Sequence, residues 1–227
     1  MTTENYANHI ATITQIYSDA LQSVAEQDAA PTAVLVHRGA AHHYYGDDRG
    51  IAFQGDGHLL HWIPVNRPTH FVYFQPGEKP IYYQIIPSDF WFEQDISIEP
   101  DWGEALAIVR LSSLNDLVGQ LQQHSGSAIA YLGENADVAA SLGIDKALVN
   151  PQRLLAYLDF SRAIKTAYEL DQLRSANRLA LLGHAAAKDC FLAGGSEYEI
   201  HMAYLQATQS LEDETPYTNI EIGRAHV

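Results

Sequence analysis

Two adjacent carboxylates, Asp47 and Asp48, are the most suggestive charges in the first half of the chain, because paired acidic side chains can carry charge-based chemistry. They lie in the segment YYGDDRG, between two glycines. In such a turn an aspartate usually accepts a hydrogen bond from the backbone that follows it. On local grounds the doublet is therefore interpreted as turn chemistry.

The eleven histidines invite a metal-site interpretation, but their spacing does not support one. No His-Glu-x-x-His sequence occurs. His58 and His61 lie in or beside a predicted strand, where a step of three residues places side chains on opposite faces. The pair His42 and His43 is typical of a solvated loop edge. We therefore expect no metal site within this chain.

The sequence also lacks the motifs of catalytic nucleophiles and of phosphate-binding loops. The sequence has no Gly-x-Ser-x-Gly, P-loop or Gly-x-Gly-x-x-Gly, which excludes the serine hydrolases and nucleotide-binding proteins that need them. Cys190 has no basic residue directly beside it and is expected as a small buried apolar residue. His184 is expected in a core or an interface. These residues give no catalytic candidate.

The amino-acid composition limits the classes of partner that this chain is expected to bind. The chain has 13 Lys and Arg against 28 Asp and Glu, a formal net charge of -15, so nucleic acid is not expected as a partner. One cysteine excludes an internal disulfide, and the start MTTENYANH lacks the layout of a signal peptide. No run approaches the roughly 18 apolar residues that a membrane helix needs. These features predict a reduced, cytoplasmic protein without membrane association.

The first part of the chain predicts a helix followed by short strands. Apolar residues recur at helical spacing before Pro31: Ile10, Ile13, Tyr17, Leu21 and Val24. Runs rich in β-forming residues follow: AVLVH, LLHWIPV, THFVYF and PIYYQII. Two further runs, ALAIV and AIAYL, bracket SSLNDLVGQLQQH, so residues 105–132 predict a strand, helix, strand crossover. Residues 1–160 are therefore predicted to form an α/β domain with a mixed sheet.

Helices are predicted after Asn150, whose side chain is expected to cap a helix that starts with proline. Thr166 stands three residues before a glutamate, in capping-box spacing, at the start of a long helix that ends at a Gly-Gly pair. Ser196 begins a second capping box. Residues 161–210 thus predict a helical hairpin that leads into TPYTNI, and a second domain, residues 161–227, opens here.

The block RAIKTAYELDQLRSANRLALLGHAAA, followed by GGSEYEI and TPYTNI, resembles the opening of the pita-bread catalytic domain of metallopeptidases that cleave beside proline. The segments NHIAT, DD followed by HWIPV, FWFEQ and YLGE resemble the bacterial Xaa-Pro dipeptidases, or prolidases, which include organophosphorus acid anhydrolases. The resemblance covers residues 6–220. It implies a creatinase/prolidase-like N-terminal domain followed by the start of an α+β pita-bread domain.

The resemblance implies a hydrolase for dipeptides with proline second, active as a homodimer with two Mn²⁺ ions per subunit. The bond to proline is a tertiary amide without N–H, and two metals can polarise its carbonyl and supply a nucleophile. In relatives the five ligands, two Asp, one His and two Glu, follow the PYxNI segment. Neither a catalytic residue, nor a metal ligand, nor a bound metal is therefore expected in this chain.

Two substrate-binding residues are carried over from the resemblance. Tyr217 matches a tyrosine that lines the substrate pocket of relatives. Asp48 matches an aspartate that one subunit places at the mouth of its partner's pocket, where it would attract the dipeptide's amine. Turn capping stays open as the other role of Asp48. Basic residues that relatives show after the aspartates are replaced by GIAFQGDGHLLHW, which leaves the substrate preference open.

The chain departs from the family pattern at Glu221. Its ending, EIGRAHV, is what GAG ATC GGA AGA GCA CAC GTC encodes, and that string resembles a sequencing-library adapter. The hypothesis is that residues 221–227 are not native and that the chain is an inactive fragment of a prolidase. If the ending is genuine, the alternative is a non-catalytic dimerisation or peptide-binding module. An aminopeptidase P or creatinase-like enzyme is a third, weaker interpretation.

Overall fold

The computed structural model describes residues 3–26, 30–55, 57–90, 96–124 and 126–215. Tyr217 and the segment 221–227 lie outside these ranges. The chain divides into two compact units, residues 1–166 and residues 167–227. No helix within the described ranges combines the length and the apolar character that crossing a membrane requires.

A five-stranded mixed sheet forms the centre of the first unit. In chain order its strands are β1 (Ala33–His37), β2 (His70–Phe74), β3 (Ile81–Ile85), β4 (Ala107–Leu111) and β5 (Ile129–Leu132). The spatial order is β4-β3-β2-β1-β5. Strand β2 is antiparallel to β1 and β3, whereas β5 runs parallel to β1 and β4 parallel to β3. The predicted α/β fold with a mixed sheet is confirmed.

Six α-helices of the described residues belong to this first unit. They are α1 (Thr3–Ser23), α2 (Gly57–Trp62), α3 (Pro100–Ala105), α4 (Leu114–Leu121), α5 (Ala136–Ser141) and α6 (Gln152–Ser161). Strands β1 and β2 are buried at every position, which is the pattern of strands covered on both faces.

One face of the sheet packs against α4 and the region of α5. Its buried cluster joins strand residues to helix residues: Ala33, Leu35, Phe71, Tyr73, Tyr83, Ile85, Tyr131, Leu117, Leu121, Ala139 and Leu142. The opposite face carries the alternate strand positions. There Tyr17 of α1, Trp62 of α2 and Phe74 of β2 form an aromatic cluster with ring centroids 4.8–6.1 Å apart. The predicted apolar stripe of the first helix is buried and confirmed.

The segment LLHWIPV is not the predicted strand, because its first residues form α2. Leu59, Trp62 and Ile63 are fully buried, and their spacing of three and four residues gives one helical face. A short apolar run fits a strand or a helix about equally well, and packing against β1 and β2 decides between them. The prediction that His58 and His61 point to opposite faces is also wrong, since both lie buried on α2.

The predicted crossover needs a correction in its placement. Strands β4 and β5 flank α4 in sequence, as expected, and they point the same way. They lie at opposite edges of the sheet, separated by the three other strands. The connection therefore crosses the whole sheet, because β4 pairs with the preceding strand β3, whereas β5 pairs with the first strand, β1.

Asn150 does not cap α6 in the predicted way. Its φ is 50°, and its side chain accepts from the Gly133 amide at 3.0 Å and donates to the Gly133 carbonyl at 2.7 Å. Its own amide donates to the carbonyl of Tyr131 at 2.8 Å. The side chain thus fastens the start of α6 to the end of β5, and Pro151 takes the cap position.

The second unit contains α7 (Ala167–Leu192) and α8 (Glu197–Thr208), the predicted helical hairpin. Helix α7 ends where Gly194 adopts a φ of 85° and the amide of Gly195 donates to Cys190. The predicted box at Ser196 is present, with the Ser196 amide donating to Glu199 Oε2 at 2.7 Å. Large apolar side chains of both helices remain exposed: Leu170, Leu173, Leu179, Leu181, Leu182, Phe191, Leu192, Tyr198 and Met202.

Candidate functional site

Asp48 lies on a protruding ribbon, here named the exposed hairpin (residues 39–55). Two hydrogen bonds join its arms, from the Ile51 amide to the His42 carbonyl at 2.9 Å and from the Tyr44 amide to the Arg49 carbonyl at 3.1 Å. His43 and Gly50 pair in antiparallel fashion between them. Residues 41–50 are all exposed. The hairpin therefore projects its tip into solvent.

Asp47 performs the turn chemistry at the tip. Its Oδ1 accepts a hydrogen bond from the Arg49 amide at 2.8 Å, and its own amide donates to the carbonyl of Tyr44 at 3.1 Å. The bond from Arg49 is the main reason why the pKa of Asp47 lies below its ordinary value. The predicted doublet thus divides its roles, because Asp47 holds the turn while Asp48 presents a carboxylate at the surface.

Aromatic side chains flank these carboxylates. Tyr45 is fully exposed at the tip, and the guanidinium of Arg49 lies 5.8 Å from the centre of the Tyr44 ring. Gly46, between Tyr45 and Asp47, adopts a φ of 71°, which the third position of a type II turn requires. The tip can therefore offer negative charge and an aromatic surface to one partner.

The base of the hairpin is tightly packed. A Cβ at Gly55 would lie 1.9 Å from the carbonyl oxygen of Arg38, so only glycine fits there. The guanidinium of Arg38 lies 5.5 Å from the centre of the Phe53 ring and donates to Asn66 Oδ1 at 2.5 Å. Arg38 is buried, which makes this contact a fixed support for the exposed tip.

Tyr217, the other predicted substrate-binding residue, lies outside the described residues. Its role in lining the substrate pocket therefore stays a prediction. His184 is exposed on α7 and meets the Tyr204 ring edge-on at 5.3 Å, so it is not in a core. Cys190 is half-buried rather than fully buried.

The buried histidines of the first unit make contacts that connect distant segments of the chain. His9 contacts Thr166 Oγ1 through Nδ1 at 2.8 Å and donates from Nε2 to the His61 carbonyl at 2.7 Å. His58 Nε2 lies 3.2 Å from Asp159 Oδ1. Across the described ranges, no group of three or more His, Cys, Asp or Glu residues could hold a metal ion.

Sequence reasoning missed two buried histidine–tyrosine pairs on the sheet. His37 and His70 each share a hydrogen bond of 2.5 Å, with the hydroxyls of Tyr131 and Tyr82 respectively. Burial is the main cause that lowers the pKa of each histidine to about 4, so both are neutral near pH 7. The available signal was a histidine at the end of one apolar strand and at the start of another.

The comparisons with known proteins agree with this architecture. Residues 4–160 match the family model of the Xaa-Pro dipeptidase N-terminal domain. The chain is 38% identical over 218 residues to an Xaa-Pro dipeptidase of Pseudoalteromonas haloplanktis and 35% identical over 189 residues to one of Serratia proteamaculans. These alignments cover 95% and 83% of this chain but 47% and 42% of the relatives. The chain thus spans about half the length of these curated relatives.

Solved structures support the fold. A putative aminopeptidase P from Bacillus anthracis matches with a TM-score of 0.57 and 12% identity, over 92% of this chain and 52% of that protein. An Escherichia coli aminopeptidase P matches with a TM-score of 0.56 and 13% identity, over 92% and 50%. Together with the family match, these observations show that the chain belongs to the Xaa-Pro dipeptidase family and carries its N-terminal domain over residues 4–160.

Proposed function

We propose that the whole protein is an Xaa-Pro dipeptidase, which hydrolyses dipeptides with a C-terminal proline. The observation that carries this proposal is the 38% identity to a curated Xaa-Pro dipeptidase along 95% of this chain. The proposal assigns residues 1–160 to an N-terminal domain and residues 161–227 to the beginning of a pita-bread catalytic domain. It also places the enzyme in the cytoplasm as a homodimer.

Two Mn²⁺ ions per subunit are proposed as cofactors, but the described residues do not fit such a centre. They contain no cluster of three or more potential ligands. The Nε2 atoms of His9 and His58 already contact the His61 carbonyl and Asp159. Metal binding and bond cleavage are therefore assigned to other residues of the whole protein.

Substrate recognition is the role that this proposal gives to the first unit. Asp48 stands on an exposed tip whose turn is already secured by Asp47, so its carboxylate can act on a partner. In the homodimer it would face the free amine of a dipeptide in the partner's pocket. An exposed carboxylate attracts that ammonium group over several ångströms and favours its correct orientation.

The test extends this chain with the remaining catalytic domain of a relative and measures Ala-Pro cleavage with added Mn²⁺. Asp48→Asn should raise KM about tenfold and leave kcat nearly unchanged, since a single charge contact to the substrate is lost. Asp47→Asn is the matched control, because its amide oxygen still accepts the turn bond. The 227-residue chain alone should show no turnover.

Each outcome bears on a separate part of the proposal. Cleavage by the 227-residue chain alone would show that the metal ligands lie among residues assigned here to other roles. Equal KM values for the two variants would remove Asp48 from recognition. An extended enzyme that cleaves longer Xaa-Pro peptides but not Ala-Pro would instead support an aminopeptidase P activity.

A further inference from the structure

A small cleft opens at the end of the sheet where β2 begins and β3 ends. Its volume is about 120 Å³, and it is lined by Arg67, Pro68, Thr69, His70, Ile85 and Pro87. A water molecule occupies about 30 Å³ in the liquid. The cleft therefore has room for a small polyatomic ion and its hydration.

The backbone of the cleft is strained and held in place. Thr69 has a φ of 60°, which is rare for a β-branched residue. Its amide donates to the Gly39 carbonyl at 2.7 Å, and the next carbonyl, that of His70, accepts from the Arg38 amide at 2.9 Å. Strained backbone of this kind concentrates at ligand sites, where it fixes the direction of neighbouring side chains.

Two basic residues, Arg67 and His70, line this cleft. Arg67 is exposed and forms no ion pair with a carboxylate of the described ranges. His70 is 3% exposed, and its Nδ1 is engaged with the Tyr82 hydroxyl at 2.5 Å. Its Nε2 is thus the ring nitrogen left to meet a ligand.

Further positive charge surrounds the cleft. Only five Lys and Arg residues occur before residue 146, namely Arg38, Arg49, Arg67, Lys79 and Arg110. Arg38 is bonded through its backbone to His70, and Arg110 Nε donates to Gln84, the register partner of His70, at 3.2 Å. Three of these five cations, Arg38, Arg67 and Arg110, therefore lie near this end of the sheet, whereas Lys79 lies in the connection at the other end of β2 and β3.

We propose that this cleft binds a small oxyanion, a carboxylate or a phosphate, through the guanidinium of Arg67 and the imidazole of His70. The planar guanidinium offers paired N–H donors that match the oxygens of both groups. The site goes beyond the proposed peptidase function and does not depend on it.

Binding has a signature in the titration of His70. Burial and then the charge of Arg67 lower the pKa of His70 to about 4. Among the described residues, Arg67 and the Tyr82 hydroxyl on β3 act on the His70 ring, and Arg38, which follows β1, bonds the His70 carbonyl. His37 stacks on Phe71 and therefore lies on the opposite face of the sheet. A bound anion offsets the charge of Arg67 and raises the pKa of His70, and by linkage the anion binds more tightly as the pH falls.

The experiment follows the NMR spectrum of the 227-residue chain while inorganic phosphate or sodium acetate is added at constant ionic strength. We expect saturable shifts centred on residues 67–70 and a raised pKa of His70. Arg67→Gln should weaken binding about tenfold, the loss of a charge-assisted hydrogen bond. Arg49→Gln, on the exposed hairpin, is the matched control and should bind as the unchanged chain does.

The two anions separate the possible ligands. Saturation by acetate alone identifies a carboxylate site, saturation by phosphate alone a phosphate site, and saturation by both a general oxyanion site. The absence of saturable shifts for both anions overturns the proposal. Equal weakening by Arg67→Gln and Arg49→Gln also overturns it, since general screening of surface charge would then explain the shifts. Arg67→Lys serves as a second variant. Unchanged binding by both Arg67→Gln and Arg67→Lys also overturns the proposal.

Discussion

The two units of this chain bury their apolar side chains to very different extents. In the first unit Leu35, Trp62 and Phe71 are fully buried, because helices cover both faces of the sheet. In the second unit Leu181 and Phe191 are each 66% exposed. Apolar surface left in water forgoes roughly 25 cal/mol for each square ångström. The first unit is therefore stabilised by its core, and the second depends on helix caps and on the packing of α7 against α8.

Truncation of one leucine in each unit gives the largest expected difference. Leu35→Ala in β1 should lower the free energy of unfolding by about 2–5 kcal/mol, because it leaves a cavity in a closed core. Leu181→Ala in α7 should change it by about 0.5 kcal/mol or less. Urea unfolding followed by circular dichroism measures both. Equal losses would show that the second unit has a core as closed as the first.

Acidification should weaken the first unit selectively. The pKa values of His37 and His70 are lowered to about 4 in the folded chain, against about 6.5 when unfolded, so the unfolded state binds more protons between these values. Their contribution is fully present above pH 6.5 and is lost as the pH falls toward 4. Between pH 7.5 and 5 the loss should be about 2 kcal/mol for each histidine.

The check is the unfolding free energy of the first unit at several pH values. His37→Gln should reduce its pH dependence, whereas His42→Gln, at an exposed position of the hairpin, should retain it. Stability that stays constant from pH 7.5 to 5 would contradict the buried, neutral state of these histidines.

Adding a methyl group at a glycine of each unit tests how rigidly the surrounding residues are packed. Gly55→Ala forces a contact with the Arg38 carbonyl and should cost about 1–3 kcal/mol, because backbone must move. Gly183→Ala in α7 meets only side-chain atoms, of Tyr204 and Thr208, and alanine favours a helix interior, so its loss should be smaller. Gly50→Ala, with open space around it, is the control. Thermal unfolding would refute this ranking if Gly183→Ala were the more harmful change.

The smallest expected effect concerns a helix cap. Ser196→Ala removes the capping box of α8 and should destabilise that helix by about 1 kcal/mol. Amide hydrogen exchange should accelerate about fivefold in α8 and stay unchanged in β1, if the units open separately. Ser113→Ala, which removes the cap of α4, is the counterpart in the first unit. Faster exchange in β1 after Ser196→Ala would mean that the two units unfold together.

Local patterns predicted the elements better than their arrangement. The spacing of Ile10 to Val24, the strand AVLVH and the box at Ser196 each reflect neighbours along the chain, and each was confirmed. The order of the strands depends on contacts between distant segments, so the sequence did not show that β4 and β5 occupy opposite edges. Asn150 failed as a cap because Gly133, 17 residues earlier, offers both of its backbone groups to the amide side chain.

In the candidate site, too, local features were predictable from the sequence and contacts between distant residues were not. A turn at the two aspartates was predictable from residue types, but which carboxylate bonds the Arg49 amide depends on the path of the hairpin. The support of the hairpin by Arg38, Phe53 and Gly55 joins positions that no local pattern connects. The histidine–tyrosine pairs were missed because their partners come from different strands.

The pairing of β1 with β5 also has a consequence for how the chain acquires its fold. Ala33 pairs with Ile129, so the strands meet only after a loop of nearly a hundred residues has closed. Such non-local pairing slows folding. During synthesis β1 can pair with β2 long before β5 leaves the ribosome. Its other edge then presents unpaired amides and carbonyls, and in that interval the nascent chain is most exposed to aggregation and to capture by chaperones.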